Sequence, residues 1–282
     1  MGGHAQSQTL YCRCFGYLQG MWTLLKPLKL PKVWMALSIL ACCAAATAQN
    51  PTAPTASPAP ISTPRARFED NMAERTKACT ACHGDQGRAG PDGYYPRLAG
   101  KPAGYLYNQM QNFSHGRRRY TMMRRMMEPL SPQYQQEMAD YFANLQVPYL
   151  PPSIKSTAPS PTQMVRGKQL ALEGDPTLQI PACNTCHGDN LMGNSANVPS
   201  LLGMPSAYLG AQISAWSLGE RTTIAPDCMG DIAKRLTTDD AAAVTRWLAA
   251  QEVPPKNSTN KPTRMAAHVR CGSAPELHGA SQ

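Results

Sequence analysis

Acidic side chains are scarce in this sequence, with 18 Asp and Glu against 27 Lys and Arg. Charged residues of both signs make up only 16% of its 282 positions, and with 26 prolines and 21 glycines this points to loops, linkers and short helices. No long Lys/Arg tract is present, which argues against a protein that neutralises a phosphate backbone. Four of the 27 bases and none of the 18 acids fall in residues 1–48, so +5 of the formal +9 remains on the rest. A balance that mild suits steering of an acidic protein or peripheral contact with an anionic membrane, not nucleic acid. Long apolar runs are missing too. The best, Val33 to Ala46, is about 14 residues, where a bilayer span needs about 20. Nor does any segment alternate convincingly between apolar and polar residues, so the expected class is all-α.

The short apolar run has a context. A basic stretch from Lys26 to Lys32 precedes it and Ala46-Thr47-Ala48 follows it, the pattern of a secretory signal cleaved near Ala48. Residues 1–48 are therefore expected to be removed, with Met21 a candidate start. A retained anchor, or a lipid attached through Cys42, is the alternative. Pro/Thr/Ala-rich residues 49–64 read as a tether and Pro-rich 148–161 as a linker. Two units of similar size remain, 65–147 and 162–253. They are followed by a polar tail, 254–282, that shows no periodicity and is expected to be mobile.

The two units are copies. Cys79, Cys82 and His83 recur 104 residues later as Cys183, Cys186 and His187. At a shift of 103, Pro96, Leu98, Gly100, Tyr105, Gln109 and Arg118 meet Pro199, Leu201, Gly203, Tyr208, Gln212 and Arg221. At a shift of 106, Met123, Leu130 and Tyr141 meet Met229, Leu236 and Trp247. Each copy reads as three helices: Arg67 to Ala81 and Thr162 to Glu173; Pro102 to Gly116 and Pro205 to Gly219; and a third capped by Ser131 or Thr237.

Both cysteine pairs sit in C-x-x-C-H, the attachment signature of c-type haem. On one helical turn two thiols reach the two vinyl groups of one porphyrin, and the next imidazole meets the iron. A thioredoxin-like pair would lie beside a βαβ pattern and a zinc site would need more ligands at short range; neither is present. The expected cofactors are two covalently bound c-type haems, through Cys79 and Cys82 and through Cys183 and Cys186. His83 and His187 would be axial ligands. A methionine on the opposite face would close each iron and suit it to electron transfer. Met229 is the candidate in the second copy. In the first copy Met122, Met123, Met126 and Met127 compete; repeat register favours Met123, with Met122 or Met126 as alternatives. In an exported chain Cys228 and Cys271 could form a disulfide. Cys228 could otherwise be a buried free thiol or a thiolate ligand.

The tandem C-x-x-C-H units, each followed by P-x-L-x-G, a Y-L-x-x-Q helix, a G-(R/E)-R element and a methionine before Leu-Ser or Leu-Thr, resemble the dihaem cytochrome c4 family over about residues 67–253. The resemblance implies two class I cytochrome c domains face to face around a pseudo-twofold axis. It implies a periplasmic single-electron carrier between respiratory donors and a redox partner such as a membrane oxidase or cytochrome complex. It also implies that the Pro96 and Pro199 carbonyls accept a hydrogen bond from His83 and His187. A cytochrome subunit of a dehydrogenase, or a dihaem oxidoreductase with a small substrate, is the alternative. The first half's Arg117, Arg118, Arg119, Arg124 and Arg125 could meet haem propionates or an acidic partner.

Overall fold

The computed structural model of the chain describes residues 69–90, 92–149, 159–193, 197–255 and 269–278. The expected signal, the tether and most of the 148–161 linker lie outside the described residues. The described part belongs to one compact unit, and its fold is all-α, two similar helical halves in tandem with only isolated β-bridges among the described residues.

The first half runs through α1 (Met72–Arg75), α2 (Lys77–His83), α3 (Ala103–Ser114), α4 (Thr121–Met127) and α5 (Pro132–Asn144). The second runs through α6 (Pro161–Leu172), α7 (Cys183–His187), α8 (Ser206–Ser217), α9 (Cys228–Arg235) and α10 (Thr238–Ala250). Side-chain caps start three of the long helices, while α3 and α8 begin after Pro102 and Pro205. Ser131 and Thr237 accept from Tyr134 N and Asp240 N, and Ser160 closes a capping box with Gln163.

Two expectations need correction. The first helix is broken at Thr76, whose hydroxyl turns back to the Met72 carbonyl, and it continues beyond Ala81 to His83. Each copy also has a further helix, α4 or α9, carrying its candidate methionines. Thr121, Arg124, Arg125 and Glu128 fall at i, i+3, i+4 and i+7, a polar face opposite the methionines, but α4 is only seven residues long, too short for that period to stand out. The Asp227 carboxylate accepting from Gly230 N was a legible start signal for α9.

In the second half α6 crosses α10 closely at Gly167. A Cβ there would collide with the Ala243 carbonyl oxygen and lie 2.7 Å from Trp247 Cβ. Leu170, Ala171, Val244, Trp247 and Leu248 fill the core around that crossing. The first half packs α3 on α5 through Leu106, Ala139 and Phe142.

The halves meet through a reciprocal contact. Arg119 N donates to Glu220 O at 2.9 Å and Thr222 N to Arg117 O at 2.6 Å. The Arg118 guanidinium donates to Gln212 Oε1 (2.7 Å) and Arg221 to Gln109 Oε1 (2.8 Å), each across the boundary. Since Arg118 and Gln109 are the repeat counterparts of Arg221 and Gln212, each half offers the same patch to the other.

Candidate haem-binding site

In each half a C-x-x-C-H sequence forms one helical turn, in α2 and in α7, so both thiols and the imidazole project from a single short segment. Gly84 (φ 76°) and Gly188 (φ 86°) then turn the chain in a left-handed conformation. The turn is fastened by Ala89 N to His83 O and by Gly193 N to His187 O, both 2.8 Å. The chain thereby returns under the imidazoles. His83 Nδ1 lies 2.7 Å from Pro96 O and His187 Nδ1 lies 2.8 Å from Pro199 O. Donation from Nδ1 leaves Nε2 unprotonated and fixes the ring plane.

Burial favours the neutral form of both imidazoles. Burial lowers the His83 pKa and pushes His187 down to about 4, so His187 is neutral at physiological pH. Burial also raises Cys79 and Cys186 and pushes Cys183 up to about 12. These are protonated thiols rather than reactive thiolates.

A cavity of about 590 Å³ runs through both halves. It is lined by both C-x-x-C-H segments, by Met122, Met123, Met126 and Met127 of α4, and by Met229 of α9. The structure thus brings the predicted histidines, cysteines and methionines to one void. It also separates the first half's methionines. Met127 is 3% exposed and packed as core, Met122 is 57% exposed, and Met123 and Met126 are intermediate. Cys228 is bonded to Cys271, so it is neither a free thiol nor available as a thiolate ligand.

Several residues at or behind the site carried no sequence signal of their role. Gln135, 1% exposed, donates through Nε2 to the carbonyls of Met127 and Leu130 and so holds the end of α4. Lys101 is buried between the halves, donating to Ser200 O at 3.0 Å and Ser200 Oγ at 2.7 Å, and desolvation lowers its pKa to about 7. Along the cavity Trp216 Nε1 and Arg221 Nε are buried donors without a protein acceptor. An apolar slot flanked by thiols, imidazole and methionine, with orphaned donors facing it, fits a porphyrin with anionic propionates.

A family model, Cytochrome c, matches residues 73–146. The thiosulfate dehydrogenase electron acceptor of Thiomonas intermedia is 40% identical over 65% of this chain and 82% of its own length. Cytochrome c4 of Pseudomonas aeruginosa is 31% identical over 64% of this chain and 87% of its own. This chain belongs to the dihaem cytochrome c4 family. The fold agrees: reduced recombinant cytochrome c4 from Pseudomonas stutzeri superposes with a TM-score of 0.56 at 28% identity, over 64% of this chain and 97% of that one. As a member of this family the chain is an electron-carrying cytochrome with c-type haems that works with redox partner proteins. Among the described residues no helix is long and apolar enough to cross a membrane.

Proposed function

We propose that the chain is a periplasmic one-electron carrier that takes electrons from a thiosulfate-oxidising dehydrogenase and passes them to an acceptor such as a terminal oxidase. Cys79 and Cys82 hold one haem and Cys183 and Cys186 the other, by thioether bonds. His83 and Met123 would hold the first iron, and His187 and Met229 the second. A bound haem c supplies an iron that changes by one electron between its ferric and ferrous states. The chain's own residues do the rest. Pro96 and Pro199 orient the imidazoles, the apolar lining keeps water away, and Arg221 and Trp216 meet anionic carboxylates. The boundaries 65–147 and 162–253 mark the two haem domains.

The observation that carries this reading is the duplicated pairing of a buried neutral histidine and a methionine around the same cavity. Thioether sulfur opposite imidazole nitrogen leaves an iron no vacant position, which suits transfer and not substrate chemistry. The Cys228–Cys271 bond supports it further, because it takes away the sulfur that would make a thiolate-ligated catalytic haem. The donor class is drawn from the relative's description as an electron acceptor of thiosulfate dehydrogenase.

The test is spectroscopic. Purified holoprotein should carry two haems, bind no carbon monoxide when ferrous at neutral pH, and stay oxidised with thiosulfate alone. Adding a thiosulfate dehydrogenase should then reduce it. Reduction by thiosulfate without that enzyme would make the chain itself the oxidoreductase.

A further inference from the structure

The segment Val269 to His278 lies against the second half, correcting the expectation that the whole tail is mobile. Cys271 (3% exposed) and Ala274 (5%) pack with Val198, Cys228, Val269 and Leu277. The segment is fastened on both sides of the second half's part of the cavity, and Val269, Cys271, Ser273, Ala274 and Leu277 are among its lining. On the methionine side, Cys271 is bonded to Cys228, the neighbour of Met229, and Gly272 N donates to Pro226 O at 2.9 Å. On the histidine side, the Glu276 carboxylate accepts from Asn197 N (3.1 Å) and Asn197 Nδ2 (2.9 Å), two residues before Pro199. Asn108 of α3 donates to Ser273 O at 3.2 Å. The segment is a strap that walls this part of the cavity.

The repeat shows what occupies that face in the first half. At a shift of 103 Asn197 corresponds to Tyr94, and at 106 Cys228 corresponds to Met122. These two counterparts of the strap's anchors are exposed large apolar residues, Tyr94 at 60% and Met122 at 57%. They border one surface, because the Tyr94 ring lies 6.4 Å from that of Tyr120, which immediately precedes α4. Arg125 is exposed and lies one helical turn from Met122 on the same face of α4. Nearby Arg124 and Arg119 are matched by Glu128 (2.7 Å) and Glu220 (3.5 Å), and Asp92 accepts from Tyr94 N. The face is therefore chiefly apolar, with its positive charge centred on Arg125.

We propose that the first half's Tyr94–Met122 face is the docking surface for the redox partner, and that the strap closes the equivalent face of the second half. The occupant is a partner protein presenting an apolar patch bordered by a carboxylate. It stands in for the apolar residues and Glu276 that the strap supplies in the second half. Electrons enter and leave through the first haem, and the second exchanges with the first. This rests on the two-haem carrier reading.

The test uses full-chain holoprotein and a flavodoxin hydroquinone, an acidic one-electron protein donor, in stopped-flow mixing. The double variant Tyr94→Asp, Arg125→Glu should slow bimolecular reduction by about tenfold. Its haem content, both potentials and its reduction by ascorbate should be unchanged. Arg270→Glu, on the exposed side of the strap, should change the protein–protein rate by less than about twofold. Should the double variant lose haem, Tyr94→Ala is the milder probe, with an expected slowing of about threefold. Rates within twofold for the face variants, or an equal loss in Arg270→Glu, would overturn the docking surface while leaving the carrier intact. Wild-type protein with fewer than two haems would overturn the carrier reading and this proposal with it.

Discussion

The two halves share a plan and secure their methionine helices by different means. In the first, Gln135 hydrogen-bonds the carbonyls at the end of α4, inside a core that also buries Asn112. In the second, the counterparts of Gln135 and Asn112 are Ala241 and Ala215, and α9 is tied at its start by a disulfide to the tail. A buried amide network holds only while every member is satisfied, whereas a covalent tie needs no such match. The first half can therefore leave its methionine face bare, and the second has that face covered. The N-terminal helices differ in the same sense. α6 is unbroken, crosses α10 at Gly167, and places Arg166 on Asp240 (2.7 Å) and Asp175 (2.8 Å). α1 and α2 are broken at Thr76, and Arg75 reaches Glu137 only at 3.9 Å.

Removing a haem from one half is the largest way to break this comparison. Cys183→Ala with Cys186→Ala should lower the protein's mass by one haem, and intact-mass spectrometry should show the first haem retained. Circular dichroism should show lost helix, because a unit this small builds its core around the cofactor. Next comes the helix crossing. Gly167→Val should destabilise the second half by about 3 kcal/mol in denaturant unfolding, because the Ala243 carbonyl and Trp247 leave no room for a side chain. No equivalent cost is expected for Gly116→Ala in the first half beyond the positive-φ strain of about 1 kcal/mol, as nothing surrounds that position.

Lys101 sharpens the contrast at the boundary. Its pKa is lowered to about 7 in the fold against an ordinary 10.5, so between those values the unfolded chain binds the extra proton. Stability should thus rise as pH increases from about 7 towards 10.5, and the cost of burying the charge is fully present below pH 7. Lys101→Met, which matches the second half's Met204 at this repeat position, should flatten that dependence. Unfolding midpoints of wild type and variant between pH 6 and 9 measure it. The smallest effect is at the ion pairs. Arg166→Ala should cost about 1 kcal/mol and Arg75→Ala less than that, by chemical denaturation. The Arg166 contribution should fade as pH falls from about 4 towards 2, because hydrogen bonds from Thr177 and Arg166 hold Asp175 down at about 2.

Much of the architecture was legible in the residues because a duplicated motif fixes its own register. Pro96 and Pro199, Arg118 and Arg221, and Met123 and Met229 each gain meaning from the other. The helices carrying the methionines went unread because seven and eight residues are too short for a periodicity window of about 11, although Thr121, Arg124, Arg125 and Glu128 share a polar face and Asp227 is a capping residue. The strap was hidden for a different reason. Ten residues gripped by one covalent bond and a few hydrogen bonds need no periodic pattern, so they read like the polar tail around them.

By itself the sequence determined the covalent chemistry and the local turns. Thiol spacing, the histidine that follows and the glycine after it are consequences of chain geometry within a few residues. Only the tertiary structure decided which methionine is core and which is exposed. It also decided that Arg118 and Arg221 bind reciprocally across the boundary between the halves, and that residues 269–278 of the tail are fastened to the second half by a disulfide. Those outcomes depend on which distant surfaces lose water together, and no stretch of chain records that alone.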